Sequence, residues 1–120
     1  MSVRDVAKQY FTCVDGHDAE GLSRLFAEDG WLRPPPPVRK ELQGREAIRQ
    51  FYSELFSSAP DLRIEPDYDL VVEENVCVAR FSSLVRGHHN NRTVIDIFTV
   101  NERDELVEMI AYSRLSPEVE

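Results

Sequence analysis

Residues 92–101, Arg-Thr-Val-Ile-Asp-Ile-Phe-Thr-Val-Asn, form the most informative segment of the chain. The stretch combines β-branched and aromatic residues and has no Gly or Pro, which predicts a β-strand. Because side chains alternate between the two faces of a strand, Asp96 shares one face with Val94 and Phe98. Two isoleucines lie on the other face, so both faces are largely apolar.

Asp96 is the exception in this apolar strand. An ionised carboxylate is costly to bury among apolar side chains. The carboxyl group must therefore be protonated, paired with a donor, or placed at the edge of a cavity. The choice among these three states is the main functional question that the sequence raises.

The chain is expected to form one domain over residues 1–120. It has 120 residues, of which 42% are hydrophobic, and a chain of this size buries roughly two-thirds of its unfolded surface. This is enough for a core without disulfides or metals. Cys13 and Cys77 have no metal-ligand spacing and are expected to be reduced core residues.

The charge of the chain excludes two classes of partner. A net charge of -8 argues against binding to nucleic acid or to an anionic membrane, because both reward clustered Lys and Arg. The sequence has no apolar run long enough for a membrane span, and its first residues lack the apolar segment of a signal peptide. A cytoplasmic protein is expected.

Three helices are predicted in the first half. The first covers residues 3–15 and starts with a capping box at Ser2. Asp18 is predicted to cap a second, shorter helix that Asp29-Gly30 terminates, followed by a short strand at residues 31–33. A third helix starts at Gly44, carries a wide apolar stripe, and ends before Pro60.

The second half has a strand period and predicts an α+β fold. Three N-terminal helices would cover one face of a curved antiparallel sheet. The opposite face carries apolar side chains, which predicts a homodimer that packs through this outer face. The candidate strands are residues 61–68, 69–73, 76–86, 92–101 and 106–114.

Three segments resemble the NTF2-like superfamily, and within it the ketosteroid isomerase and SnoaL-like branch. They are Gly-Arg-Glu-Ala-Ile-Arg-Gln-Phe-Tyr at 44–52, Ala-Glu-Asp-Gly at 27–30, and Val-Ile-Asp-Ile-Phe-Thr-Val at 94–100. The resemblance implies a cone: a strongly curved sheet and three helices around an apolar pocket for a hydrophobic small molecule. Such cones usually dimerise.

The resemblance to ketosteroid isomerase implies specific site residues. In that enzyme a Tyr and a protonated Asp donate hydrogen bonds to the enolate oxygen, while a second Asp moves the proton. Tyr10 falls at the position of the catalytic tyrosine, Asp96 at that of the protonated aspartate, and Tyr52 at that of a tyrosine supporting the first. The position of the catalytic base falls at Pro34, which cannot accept a proton.

The chain also resembles two other branches of the superfamily but lacks some of their catalytic residues. Limonene epoxide hydrolases use an Asp-Arg-Asp set, in which Arg80 matches the arginine while Ser82 and Ala111 replace the aspartates. The aspartate expected of SnoaL-like aldol cyclases is absent from the last strand, residues 106–114. Arg80 remains a supporting residue, either at the site or as the ion-pair partner of Asp96.

Further residues are predicted to contact substrate. Arg33 is expected at the pocket mouth, where it would face an anionic group. Neither a cofactor nor a metal is expected, since His88 and His89 have no third ligand at a suitable spacing and fit an exposed loop better. The large apolar residues predicted to line the cavity or the core are Trp31, Phe56, Phe81, Phe98 and Met109.

Two functions from different classes follow. The first is an isomerase, cyclase or lyase for a hydrophobic carbonyl or polycyclic substrate, in which Tyr10 and Asp96 polarise an oxygen. The alternative is a non-catalytic ligand-binding or dimerisation module of the same fold that has lost the catalytic base. The residue at Pro34 favours the module, and the pair of Tyr10 and Asp96 favours the enzyme.

Overall fold

The computed structural model describes residues 2–35, 38, 40–65, 67–85 and 92–115. His88, His89, Pro36 and Pro37 lie outside the described residues. The described elements are α1 (Val3–Asp15), α2 (Ala19–Arg24), β1 (Phe26–Arg33), β2 (Leu42–Gln43), α3 (Arg45–Ser58), β3 (Arg63–Ile64), β4 (Asp69–Glu73), β5 (Val76–Leu84), β6 (Arg92–Val100) and β7 (Leu106–Leu115).

The helices begin where their capping residues predict. Ser2 and Asp5 form a complete capping box at α1, and the Asp18 side chain accepts a hydrogen bond from the Gly21 backbone N–H at α2. At α3, Gly44 has φ +87°, a backbone conformation that residues with a Cβ rarely adopt. The three predicted helices are thus confirmed, with α1 at its predicted bounds.

The sheet is mixed, which corrects the prediction that it is antiparallel. Its strands follow the order β2-β1-β7-β6-β5-β3, and β4 also pairs with β5. Every pair is antiparallel except β1 with β7, which is parallel. β1 lies beside β7, on the side of the β6–β7 hairpin away from β6. The predicted cone is confirmed: three helices pack on a strongly curled sheet.

The second helix ends earlier than the sequence suggests. It stops at Arg24, and residues 26–33 form one strand in place of a helix end and a short strand. Gly30 marks an irregularity in the pairing of this strand with β7, and a Cβ there would lie 2.6 Å from the Leu106 carbonyl oxygen. The turn signal Asp29-Gly30 thus marks a close approach of two strands.

The predicted strand bounds agree with the structure to different degrees. β4 has its predicted bounds, and β5, β6 and β7 are within two residues of theirs, whereas only Arg63–Ile64 of the predicted strand 61–68 pairs with β5. The two-residue strand β2 pairs with β1 and was not predicted. None of the helices in the described part of the chain has the length and apolarity to cross a membrane.

The core lies between the helices and the inner face of the sheet. Side chains of α1 and α3 pack on β5, β6 and β7 in one cluster that is largely apolar. Val94, Asp96 and Phe98 of β6 are buried on this inner face, and Ile95 is exposed on the outer face. The alternation predicted for this strand is confirmed.

Candidate functional site

The inner face of the sheet can be described as rows of residues paired across β5, β6 and β7. The Phe98 row contains Cys77, Phe98 and Met109, all of them fully buried. Because directly paired residues share a face, each row fixes which side chains meet above the sheet.

The Asp96 row is next and is built from small residues. Ala79 and Ala111 flank Asp96 on the two neighbouring strands. Their methyl groups leave the space above the carboxyl group open, although Asp96 itself is only 1% exposed. The following row holds Phe81, Val94 and Ser113. The flanking alanines therefore place an acid at the wall of a cavity.

A cavity of about 480 Å³ lies between this face and the helices. Its wall is mostly apolar, and Val14, Leu32, Phe51 and Leu55 contribute to it from α1, β1 and α3. A volume of this size is typical of sites for small organic molecules. Within the described residues, Asp96 is the only carboxyl group on its wall.

Tyr10 and Tyr52 bring two hydroxyl groups to the same cavity. Their hydroxyl oxygens are 2.8 Å apart in a buried hydrogen bond, and the Tyr10 ring packs edge-on against Phe98 with centroids 5.3 Å apart. Either hydroxyl can be the donor, so the bond uses only one of the two hydroxyl protons. The second proton is available to a bound oxygen.

The Asp96 carboxyl group lacks a full set of partners. Its Oδ2 atom is buried and has no hydrogen-bond partner among the described residues. Burial raises the pKa of Asp96 well above its usual range, since desolvation penalises the charged form. Burial likewise raises the pKa of both tyrosines, and the nearby Asp96 carboxyl adds to the effect. The site thus favours neutral donors.

Arg80 does not pair with Asp96. It lies on the outer face, opposite Ile95, and forms an ion pair with Asp69 at 2.6 Å. The structure thereby corrects both positions proposed for Arg80, as the partner of Asp96 and as a supporting residue in the pocket. The physical reason is parity, since residues 80 and 79 face opposite sides of β5.

Arg33 also lies away from the cavity, which corrects its placement at the pocket mouth. It is paired with Ile110 on the outer face, where its Nη2 donates to the Tyr112 hydroxyl at 2.7 Å. Its guanidinium carbon lies 5.3 Å from the centroid of the same ring. The neighbouring residue Leu32 faces inward and lines the cavity.

The large apolar residues divide among three environments. Phe81 lines the cavity, as does Pro34, which occupies the position expected of a catalytic base. Phe98, Met109 and Phe56 are buried in the core, where the Phe56 ring stacks on His17 with centroids 4.6 Å apart. Trp31 pairs with Glu108 on the outer face, which corrects its predicted place in the cavity or core, because its neighbour Leu32 takes the inner face of β1. Only the tertiary structure separates these roles.

Arg92 is the cavity residue that the sequence reasoning missed. It lines the cavity together with Ser83, to which it is paired, and its Nη1 atom lies 3.4 Å from Ser113 Oγ. Strand alternation carried the signal, because residues 92, 94 and 96 share one face. No group of three or more His, Cys, Asp or Glu side chains that could hold a metal occurs within the described ranges.

Solved structures with the same fold come from several bacteria. A protein from Sphaerobacter thermophilus is 21% identical, with a TM-score of 0.80 and coverage of 97% of this chain and 99% of that one. A candidate polyketide cyclase from Sinorhizobium meliloti is 20% identical, with a TM-score of 0.76 and coverage of 89% and 93%. A candidate ketosteroid isomerase from Kribbella flavida is 16% identical, with a TM-score of 0.74 and coverage of 98% and 82%.

Sequence comparison places the chain in a family. No curated protein matches it significantly. The model of the SnoaL-like domain, however, matches residues 7–109, which is most of the chain. Together with the fold, this match confirms the predicted NTF2-like, SnoaL-like relationship. The chain belongs to the SnoaL-like domain family.

Proposed function

We propose that the protein is a small-molecule enzyme, an isomerase, cyclase or lyase that acts on a hydrophobic carbonyl or polycyclic substrate. The observation that carries the proposal is Asp96 Oδ2, which is buried and without a partner among the described residues, at the wall of an apolar cavity. An unsatisfied buried polar atom costs about 1 to 3 kcal/mol. A bound oxygen would remove this cost.

The chemistry follows from the two donors. In the proposal, Asp96 is protonated at neutral pH and donates to the substrate oxygen, and the free proton of the Tyr10–Tyr52 pair donates to the same oxygen. Two neutral donors in a dry cavity stabilise an enolate or alkoxide more than they stabilise a carbonyl, because charge develops on the oxygen. The names of the cyclase and isomerase neighbours are consistent with this class of substrate.

Proton removal needs a different acceptor from that of ketosteroid isomerase. Pro34 lies on the cavity wall and has no basic atom. In the proposal, Asp96 is the neutral donor, so the acceptor is a group of the substrate itself or a water molecule. We therefore expect negligible isomerisation of a β,γ-unsaturated ketosteroid, measured by the absorbance of the conjugated product. Robust turnover would show that another residue serves as the base.

The test of the oxygen site is binding of a fluorescent phenol, because a phenolate resembles an enolate in charge. Naphthol should bind the wild type and bind Tyr10→Phe and Asp96→Leu more weakly by about 5-fold to 150-fold, equivalent to 1 to 3 kcal/mol. Tyr112→Phe, an outer-face change, is the matched control and should bind like wild type.

Thermal unfolding of the same variants separates function from structure. If Asp96 serves a ligand, Asp96→Leu should unfold at a higher temperature than wild type, since it removes an unpaired buried polar group. Loss of both binding and stability would instead show that Asp96 has a structural partner. Binding unaffected by either inner substitution would contradict the proposed oxygen site.

The second candidate is a non-catalytic ligand-binding or dimerisation module. The observation that favours it is Pro34, together with the lack of a second carboxyl group or a histidine on the described cavity wall. Such a module would bind naphthol through Asp96 yet catalyse no exchange of the α-protons of a bound ketone with solvent. Nuclear magnetic resonance in deuterated water measures this exchange.

For either function we propose a homodimer that packs through the outer face of the sheet. Val78, Ile97 and Ile110 form one apolar row there, next to the exposed side chains of Ile95 and Tyr112. Light scattering at micromolar concentration should give twice the monomer mass. Ile95→Arg should reduce this mass, whereas Glu54→Arg, at an exposed position of α3, should not. A monomeric wild type would contradict the dimer.

A further inference from the structure

The cavity carries polar groups at two separate levels. The inner level is Asp96 with the two tyrosine hydroxyls, and the outer level is Arg92 with Ser83 and Ser113. Phe81 and Val94 lie between the backbone positions of Arg92 and Asp96 on the inner face, in the row that also holds Ser113. A ligand that uses both levels must therefore have two polar ends and an apolar body.

The contact of Arg92 fixes where its charge lies. Arg92 is paired with Ser83, but its guanidinium reaches Ser113, which belongs to the next row inward. The positive charge of Arg92 thus lies over the row of Phe81, Val94 and Ser113, which is next to the Asp96 row. Two residues along a strand span roughly 7 Å, so the guanidinium and the carboxyl group of Asp96 are separated by about that distance along β6.

The guanidinium retains donors for a ligand. Arginine has five N–H donors, and within the described residues the side chain of Arg92 makes one bond, a long one of 3.4 Å to Ser113 Oγ. The described ion pairs do not include Arg92.

From this arrangement we infer that the ligand carries a carboxylate, which Arg92 binds at the end of the cavity away from the Phe98 row, with the hydroxyls of Ser83 and Ser113 beside it. A planar guanidinium binds a carboxylate through two parallel hydrogen bonds. Arg92 is the only Arg or Lys on the described cavity wall, so one positive charge is available and a singly charged anion matches it better than a phosphate monoester does.

This inference rests on the proposed function and narrows its substrate class. The ligand is a hydrophobic carbonyl or phenolic acid, with its oxygen held by Asp96 and Tyr10 and its carboxylate at the other end, held by Arg92. The protein as a whole carries a charge of -8, which repels anions. Salt at physiological concentration screens that repulsion beyond about 8 Å, whereas the contact with Arg92 is direct.

The test compares ligands that differ only in charge. A hydroxynaphthoic acid with its hydroxyl and carboxylate at opposite ends should bind wild type at least tenfold more tightly than its methyl ester does, by fluorescence titration. Arg92→Met should remove this preference, and Arg92→Lys should keep part of it. Arg114→Met, the same change at an exposed position of β7, should leave the preference unchanged.

The outcomes separate the two proposals. If wild type binds the acid and the ester equally, and both depend on Asp96, then the carboxylate site is wrong and the oxygen site stands. If the preference survives in Arg92→Met, another group binds the carboxylate and the assignment to Arg92 is wrong. If none of the naphthalene ligands binds, the oxygen site and the carboxylate site are both contradicted. The ligand pair tests wild type directly, so the conclusion does not depend on a variant that fails to fold.

Discussion

Two aspartates on opposite faces of the sheet are held in contrasting ways. Asp69 is on the outer face, where its side chain is 66% exposed and pairs with Arg80 at 2.6 Å. Asp96 is on the inner face, 1% exposed, and its Oδ2 has no partner among the described residues. The outer carboxylate is solvated and costs little, whereas the inner one carries a desolvation cost that the fold must offset.

The difference shows where the protein tolerates an unfavourable group. Exposed ion pairs contribute about 0 to 1 kcal/mol, so the pair of Asp69 and Arg80 is neutral to the fold. The buried carboxyl group of Asp96 is unfavourable for folding and is flanked by alanines that leave it open to the cavity. Buried groups of this kind are more typical of binding sites than of cores.

The largest effect on the free energy of unfolding is expected for Phe98, which packs against Tyr10. Phe98→Ala should lower the free energy of unfolding by about 3 to 5 kcal/mol, because it opens a cavity in the fully buried row under Tyr10. Val71→Ala on the outer face, at a residue 66% exposed, should change it by less than about 0.5 kcal/mol. Urea denaturation measures both, and equal losses would contradict the division into an inner core and a solvated outer face.

The second prediction concerns pH. The pKa of Asp96 is raised in the folded state, so the folded protein keeps a proton that the unfolded chain loses above about pH 4. Wild type should therefore lose stability relative to Asp96→Asn as pH rises, by about 1.4 kcal/mol per pH unit, until the folded pKa is reached.

The control for this prediction is the same substitution at the outer aspartate. Asp69→Asn should differ from wild type by less than about 1 kcal/mol at every pH, because it removes an exposed ion pair. Denaturation curves between pH 4 and pH 8 provide the measurement. A difference between wild type and Asp96→Asn that does not change with pH would mean that Asp96 is ionised in the folded protein.

The smallest effect is expected for the tyrosine hydroxyls. Tyr52→Phe removes the 2.8 Å bond to Tyr10 and should lower the free energy of unfolding by about 0.5 to 1.5 kcal/mol. Tyr112→Phe removes a bond from Arg33 on the outer face and should change it by less than about 0.5 kcal/mol. If the two variants lose equal stability, the inner bond is no stronger than the exposed one.

The sequence predicted those parts of the fold that local patterns specify. The capping box at Ser2 and the apolar spacing behind it define α1, and the alternation around Asp96 defines both faces of β6. The prediction was wrong at residues 26–33, where Asp29-Gly30 resembles a helix end but lies within strand β1. There the parallel pairing with β7 decides the structure, and local sequence does not encode a partner so distant in the chain.

The site shows the same division. Its central acid follows from the sequence alone, because an aspartate on the apolar face of a strand must be neutralised or exposed to a cavity. Resemblance added Tyr10 and Tyr52, which the structure brings within 2.8 Å of each other. Strand alternation alone places Arg92 on the same face as Asp96, whereas the outer position of Arg33 follows from the pairing of β1 with β7. The sequence determined which chemical groups are present, and the tertiary structure decided which of them meet, because contacts between distant strands depend on register and curvature.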